Sequence, residues 1–503
     1  MILSMVNRNP SIDRSAAGFD VDTSGIGTLC LTAGSENSTL LELVFLDEEG
    51  IIMLPTNASD YPALFDEQAL YPDRFSFRNS MYFDEIYHGR SAYEMLHGYQ
   101  TYENTHPPLG KILISAGISL FGMTPFGWRI AGTFLGIVMV PVMYLFARLL
   151  TGNTALTALT CCLFAFDFMH FTQSRIATID VFVTFFILLM YLFMYRYCQM
   201  SFYDTALSKT FLPLGACGLC FGLGVACKWT GFYAGLGLSV MFFGLMYRRY
   251  QEYRYAKCYP GSETNGIPHR EILVRFLPCL WKTLVFCIGV FVVLPMIIYL
   301  VSYLPFRDGS EDSLILRCLH NQQTMIDYHT GLVATHSFSS PCYDWPVMKR
   351  PVWYYSGILT GSYLSGGLRE GISAFGNPLV WWVGIPASVY CFYLAAKKKD
   401  RTAAFLSIGY LAQYLPWFFV SRIAFIYHYF PCTVFVVLMI AYSLYNLKKH
   451  MSHRQFMIVL VVYGVAAFGL FLLFYPVLSG QAVDADYVSR YLRWFDGWFL
   501  TLD

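Results

Sequence analysis

Apolar runs of about twenty residues recur along this chain, and they leave it little choice but to fold as a bundle of membrane-crossing helices. The runs fall near 125–150, 154–172, 178–198, 211–227, 230–247, 278–303, 376–396, 403–420, 424–445 and 456–476. Each is close to the ~17–25 residues that one crossing requires. The composition agrees: 56% of the 503 residues are hydrophobic and 13% are charged, against about 25% charged in a soluble domain. The reading is an all-α polytopic membrane protein of about ten transmembrane helices. Lys228-Trp229-Thr230 makes the division of 211–247 the least sharp.

The rest of the chain divides around these runs. Residues 1–80 lack a spanning run and alternate weakly at 28–32 and 41–45, which predicts a small extracytoplasmic β-containing segment. No signal peptide precedes it, so the expected topology calls for an upstream helix or a misplaced start. Residues 81–124 form a loop whose apolar stretch Leu109–Phe121 is too short to span and is expected at the interface. Helices fill 125–303 and 376–478, an outer loop or lid fills 304–375, and 479–503 is an outer tail.

Orientation follows from loop charge. One alternate set of loops carries Arg196, Lys209, Arg248, Arg249, Arg254, Lys257, Arg270, Arg275, Lys397–Lys399, Arg401, Lys448, Lys449 and Arg454. The positive-inside rule places these in the cytoplasm and the other set outside. The formal net charge of +1 gives no sign of a nucleic-acid partner. The cysteines are scattered, with no zinc spacing and no readable disulfide framework; Cys217 and Cys220 read as small residues for helix packing.

Chemistry gathers on the outer face. In YFDEIYHGRSAYEMLHGYQTYENTHPPLGK, residues 82–111, the pair Asp84-Glu85 precedes His106-Pro107-Pro108. Adjacent carboxylates at a membrane surface are costly to hold near lipid. Arg129, Arg175, Lys228 and Arg422 break the positive-inside pattern at the same level, with Asp180 and His428 nearby. Carboxylates beside several cations suit an anionic lipid-phosphate donor. The cations would hold the departing phosphate, and a carboxylate would take the proton of an incoming hydroxyl.

Plainer readings stand beside this one. Arg129 and Arg422 can snorkel to headgroups. Asp167 and Asp180 can cap helices, and most Tyr and Trp form an interfacial belt. In the outer loop, His320, His329 and His336 lack a metal-ligand spacing, so no metal is expected. His336, Ser340, Trp345 and Arg350 read as part of a lid over the site, with His106 beside them toward the acceptor.

The segments FDEIYHG, HPPLGK, GWRIAG, FDFMHFTQSRIATIDVF, CKWTGFY, THSFSSPCYDWPVMKRPVWYY and RIAFIYHYFP, in this order, resemble the protein O-mannosyltransferases, members of the multi-spanning GT-C glycosyltransferases. The resemblance covers most of 82–445 and implies an inverting transfer of mannose from a polyprenyl-phosphate-mannose to Ser or Thr of exported proteins. It implies Asp84 as base with Glu85 in support, Arg129 and Lys228 foremost among the phosphate contacts, and no cofactor beyond the lipid-linked sugar substrate. The family has eleven spans, with the Asp-Glu loop after the first. The central loop of about 70 residues is too short for the MIR domain typical of eukaryotic members. That favours a bacterial member in the plasma membrane with an outward-facing site. The acceptor protein and the oligomeric state are not legible.

Two other functions compete. A transferase of the same fold can take a lipid or glycan acceptor, as in aminoarabinose transferases; the Asp-Glu and His-Pro-Pro context argues against it. A transporter would place its charges near the midplane and show inverted repeats. Here the charges collect at one face, and no repeat is visible.

Overall fold

A computed structural model describes strands within 2–6, 17–20 and 42–46, then 51–66, 68, 76–264, 266–357, 364 and 367–500. Four antiparallel strands, β1 (Ile2–Val6), β2 (Ala17–Asp20), β3 (Glu42–Leu46) and β4 (Ile52–Met53), form a sheet in the order β2-β1-β3-β4. β3 coincides with the alternation at 41–45, and its Leu43 and Phe45 pack on Leu64 and Phe65. The strand expected at 28–32 lies outside the described residues.

Two helices precede the long ones. α1 (Glu85–His97) ends on Gly98 in the left-handed conformation, and α2 (Leu109–Phe121) starts directly after His106-Pro-Pro. Proline fixes φ and needs no hydrogen-bond acceptor, which suits a helix entrance. Gly110 lets α2 press against the start of the α6 region, since a Cβ there would lie 2.6 Å from Ile179.

The bundle then runs through α3 (Pro125–Thr151), α4 (Thr154–Ala165), α5 (Phe168–Gln173), α6 (Asp180–Cys198), α7 (Leu207–Cys227) and α8 (Gly231–Cys258). After a short hairpin, β5 (Glu263–Thr264) and β6 (Ile267–Pro268), a long helix follows. It comprises α9 (His269–Ile288), a π-helical turn at Gly289–Val293 and α10 (Leu294–Ser302). The segment 304–375 holds α11 (Leu314–Gly331) and strands β7 (Val352–Ser356), β8 (Leu368–Arg369) and β9 (Gly371–Ala374). Four longer helices follow: α12 (Pro378–Lys398), α13 (Arg401–Tyr414), α14 (Phe430–Leu447) and α15 (His453–Ser479).

Among the described residues, seven helices are long and apolar enough to cross a membrane: 125–151, 180–198, 207–227, 269–302, 378–398, 426–450 and 453–479. The other three expected spans are helical but depart from that measure. α4 has 12 residues and breaks before α5, where Asp167 caps the new start through Met169 and His170. α13 has 14 residues and tightens into a 3-10 stretch, Leu415–Phe419. α8 is long enough, but glycine, tyrosine and its terminal arginines dilute its apolar character.

Burial separates the core from the lipid-facing wall. α14 is buried along almost its whole length, from Phe430 to Ser443, and α6 nearly so. The 269–302 helix is the opposite: Val274, Trp281, Val285, Ile288 and Met296 are all exposed. Such a row of large apolar side chains is stable only against lipid. The chain is a mostly helical integral membrane protein.

Candidate active site

The sequence neighbours Asp84 and Glu85 go separate ways. Glu85 begins α1 and is fully buried. Its Oε1 accepts from Arg129 Nε at 2.7 Å and from the Ala177 amide at 3.0 Å. Its Oε2 accepts from Arg129 Nη2 at 2.7 Å, and from Trp128 Nε1 and the Tyr82 amide at 3.3 Å each. Arg129 spends its remaining reach on the carbonyls of Phe77 at 2.6 Å and Ser80 at 3.0 Å. Together they tie the 76–85 loop to α3 and to the α5–α6 turn.

Asp84 sits one residue earlier, and no side-chain hydrogen bond caps α1 with it. The residue before it, Phe83, has φ of 51°, in the left-handed region. Its ring stacks on Tyr354 with centroids 4.3 Å apart, and Tyr354 Oη accepts from Gln173 Nε2 at 2.7 Å. This held turn sends Asp84 into a cavity of about 510 Å3.

The cavity lies where five chain segments meet. Asp84, His88, Glu103 and His106 come from the loop around α1, Asp180 from the start of α6 and Lys228 from the α7–α8 turn. His329 is supplied by α11, and Arg422, Tyr427 and His428 by the approach to α14. Lys228 Nζ donates to Asp180 Oδ1 at 2.8 Å. Arg422 has no hydrogen bond or ion pair among the described residues, so its charge is available to a ligand. Burial, reinforced by the Asp180 charge and opposed by Lys228, pushes the Asp84 carboxyl up to about 7.

A second network stiffens the wall. Lys111, fully buried, donates to the Glu103 carboxylate, to the Glu103 carbonyl at 2.7 Å and to the His106 carbonyl at 3.0 Å. His106 Nδ1 lies 3.0 Å from Glu103 Oε1 and donates to it. Burial opposes ionisation of Glu103, yet Lys111 and His106 hold it well below the usual carboxylate range. Burial lowers His106, pushes His88 down to about 3, and with His106 and Arg422 pushes His329 down to about 4. The cavity thus presents neutral imidazoles, which hydrogen-bond hydroxyls without adding positive charge.

Of the four cations expected around one cavity, the structure brings Lys228 and Arg422 together and takes two elsewhere. Arg129 is consumed by Glu85, which itself does not line the cavity. Arg175 donates to the carbonyls of Leu478 and Ser479 at 3.1 Å each, at the end of α15, and lies over Phe171. Free carbonyls at a helix C-terminus are a natural guanidinium site. Asp180, His106 and His428 join the cavity. His428 Nδ1 donates to the Phe425 carbonyl at 3.0 Å, and its ring lies between Trp345 and Trp417.

The expected lid residues lie behind this wall. Trp345 is fully buried against His428, and its Nε1 donates to Ser340 Oγ at 3.1 Å. His336 packs on Phe425, and Arg350 donates to the Ser337 carbonyl at 2.9 Å. None of His336, Ser340, Trp345 and Arg350 lines the cavity; Ser340 and Arg350 border a separate groove. Sequence reasoning missed His88, Glu103, Lys111, His329 and Tyr427. The available signal was a carboxylate and a lysine flanking His106-Pro-Pro at a spacing that lets them meet. Among the described residues, one group of side chains has donor atoms close enough to share a metal: Asp308, Asp312 and His320. It lies outside the cavity, and Asp308 already accepts from Ser310.

Comparison with known proteins gives one answer along the chain. Residues 122–307 match the dolichyl-phosphate-mannose-protein mannosyltransferase family, and 315–498 match the C-terminal four TMM region of protein-O-mannosyltransferase. A polyprenol-phosphate-mannose–protein mannosyltransferase of Mycolicibacterium smegmatis is 26% identical over 474 residues, covering 83% of this chain and 87% of that protein. The Corynebacterium glutamicum protein of the same name is 26% identical over 442 residues, covering 78% and 81%. Among solved structures, the S. cerevisiae protein O-mannosyltransferase Pmt1-Pmt2 complex bound to the sugar donor superposes with a TM-score of 0.67 at 13% identity. It covers 84% of this chain and 89% of that one, a likeness of fold. The Asp84 loop precedes both matched segments, which otherwise run almost unbroken through the helices that build the cavity: the chain belongs to the protein O-mannosyltransferase family.

Proposed function

We propose that this chain transfers mannose from a polyprenyl-phosphate-mannose to Ser or Thr hydroxyls of exported proteins, inverting the anomeric carbon. It works in a bacterial plasma membrane, with the cavity open to the outer face. The observation that carries this reading is the Asp84 carboxyl. It carries no cap hydrogen bond and lines the same cavity as Lys228 and Arg422. The names of the mycobacterial and corynebacterial relatives support the donor and the kind of acceptor.

The chemistry is a single displacement. The acceptor oxygen attacks the anomeric carbon while the bond from that carbon to the phosphate oxygen breaks. Asp84 takes the hydroxyl proton. A group buffered near neutrality matches a base that must be ionised at work yet ready to accept a proton. Lys228 and Arg422 neutralise the charge that grows on the phosphate. Phosphate leaves readily, so the site needs no strong acid. Neutral His106 and His329 can take sugar or acceptor hydroxyls. Glu85 acts at one remove, by fixing the loop that aims Asp84. Neither a metal nor a cofactor enters this reading.

The test is mannosyl transfer by the purified protein from radiolabelled polyprenyl-phosphate-mannose to a Ser/Thr peptide, beside the Asp84→Asn variant. Transfer should fall by about two to four orders of magnitude, the range for loss of a general base, while donor binding persists. Transfer by Asp84→Asn equal to the parent protein would overturn the assignment. Labelled lipid or glycan product in place of peptide would move the acceptor to the competing class.

A further inference from the structure

A second cavity, about 750 Å3, lies at the opposite end of the bundle from Asp84. Arg248 is 17 residues beyond the start of α8, which places it about 26 Å along the helix from the Lys228 turn. The cavity is framed by the C-terminal ends of α6 and α8, the start of α13 and the β5–β6 hairpin. Its walls are of two kinds. Val240, Met241, Gly244, Leu245, Phe405 and Ile408 form an apolar side that continues toward the membrane core. Arg248, Arg249 and Arg401 stand at the rim with Glu252 and Asp204.

The charges at the rim are unevenly matched. Arg249 is buried and spent: it pairs with Glu252 at 3.0 Å and donates to the Met200 carbonyl at 2.6 Å. Arg248 shares that same Glu252 carboxylate at 3.3 Å and keeps about a third of its side chain exposed. Arg401 is exposed, with no hydrogen bond or ion pair among the described residues. Asp204 turns back to Thr205 at 2.7 Å. Two guanidinium groups therefore border one cavity with half a carboxylate between them. At Gly244 a Cβ would meet no atom within 4 Å, so the apolar side is open along α8.

We propose that this cavity is a seat for an anionic glycerophospholipid of the inner leaflet, its phosphate between Arg248 and Arg401 and one acyl chain along the Gly244 side of α8. A basic rim above an apolar, lipid-accessible wall between helices is the arrangement that holds such headgroups. Exposed cations alone would hold any phosphate. The apolar wall selects one that carries a chain.

The probe is phosphatidylglycerol, and the readout is the amount retained per protein by native mass spectrometry of the full chain in detergent. Arg248→Gln and Arg401→Gln should each lower retention about fivefold. Gly244→Leu leaves the charges alone, favours helix and fills the groove, so it should also release lipid. None of these residues belongs to the catalytic cavity, so mannosyl transfer reports that the variants are folded. Equal retention by the parent protein and all three variants would overturn the proposal. So would full retention by Gly244→Leu, or displacement by free glycerol phosphate, because either means a headgroup site without a chain. Selective retention of polyprenyl phosphate in place of phosphatidylglycerol would overturn the choice of lipid.

Discussion

Arg129 holds Glu85 through two charge-assisted hydrogen bonds of 2.7 Å, and neither side chain lines the cavity that contains Asp84. A buried pair of this kind costs little when intact and much when half is removed. Glu85→Gln is therefore expected to destabilise the protein by about 3–5 kcal/mol, seen as loss of monodisperse material and a lower unfolding temperature. Replacing both partners, Glu85→Gln with Arg129→Met, should recover part of that loss. A Glu85→Gln protein as stable as its parent but inactive would return Glu85 to the chemistry.

Burial, reinforced by the Asp180 charge, raises the Asp84 carboxyl to about 7. A base acts when ionised, so transfer should rise with pH through about 7 and level off above. Lys228 draws that value down, so Lys228→Met should shift the rise to higher pH. The check is the pH–rate profile of the parent protein, of Lys228→Met, and of Asp84→Asn, whose residual rate should lack this limb.

Lys228 and Arg422 are expected to carry donor binding. Loss of either charge should weaken donor affinity by about 10- to 100-fold, the worth of a hydrogen bond to a charged group. Arg422→Gln should do so with an unchanged unfolding temperature, since no partner among the described residues is left behind. Donor titration followed by calorimetry separates these effects. Equal affinity in both variants would remove the phosphate from this end of the cavity.

Glu103 binds its proton less readily folded than unfolded, because burial is outweighed by Lys111 and His106. The sign follows: its ionised form adds stability above the ordinary carboxylate value near pH 4.5, and that stability is lost as pH falls toward its lower folded value. Lys111→Met removes the main counter-charge. That variant should unfold at higher pH than its parent on acid titration, with the 98–108 loop becoming protease-sensitive first.

Loop charge predicts the orientation. A cysteine placed at Lys398 should react with a membrane-impermeant reagent only after the inner face is opened, and one at Arg422 from outside. Labelling of position 398 in intact cells would reverse the topology.

The helical bundle was legible because bilayer thickness imposes a length on every run, and each of the ten runs is helical in the structure. Lys228 was legible for a similar reason, since a lysine between two apolar runs has little else to serve. Arg129 looked equivalent, but its partner is 44 positions away, and no local pattern tells a cation that meets substrate from one that meets a distant carboxylate. The departure of Asp84 from Glu85 depends on the backbone at Phe83, which side-chain identities do not announce.

That backbone carries a consequence for selection. A bulky residue held at φ of 51° stores about 1–3 kcal/mol of strain, retained here by the stack of Phe83 on Tyr354. Glycine or asparagine at 83 would relieve the strain while surrendering the stack that aims the neighbouring acid. Stability and turnover therefore pull this position in opposite directions. A library of variants screened for heat resistance alone should drift at residue 83 toward proteins that survive longer and glycosylate less.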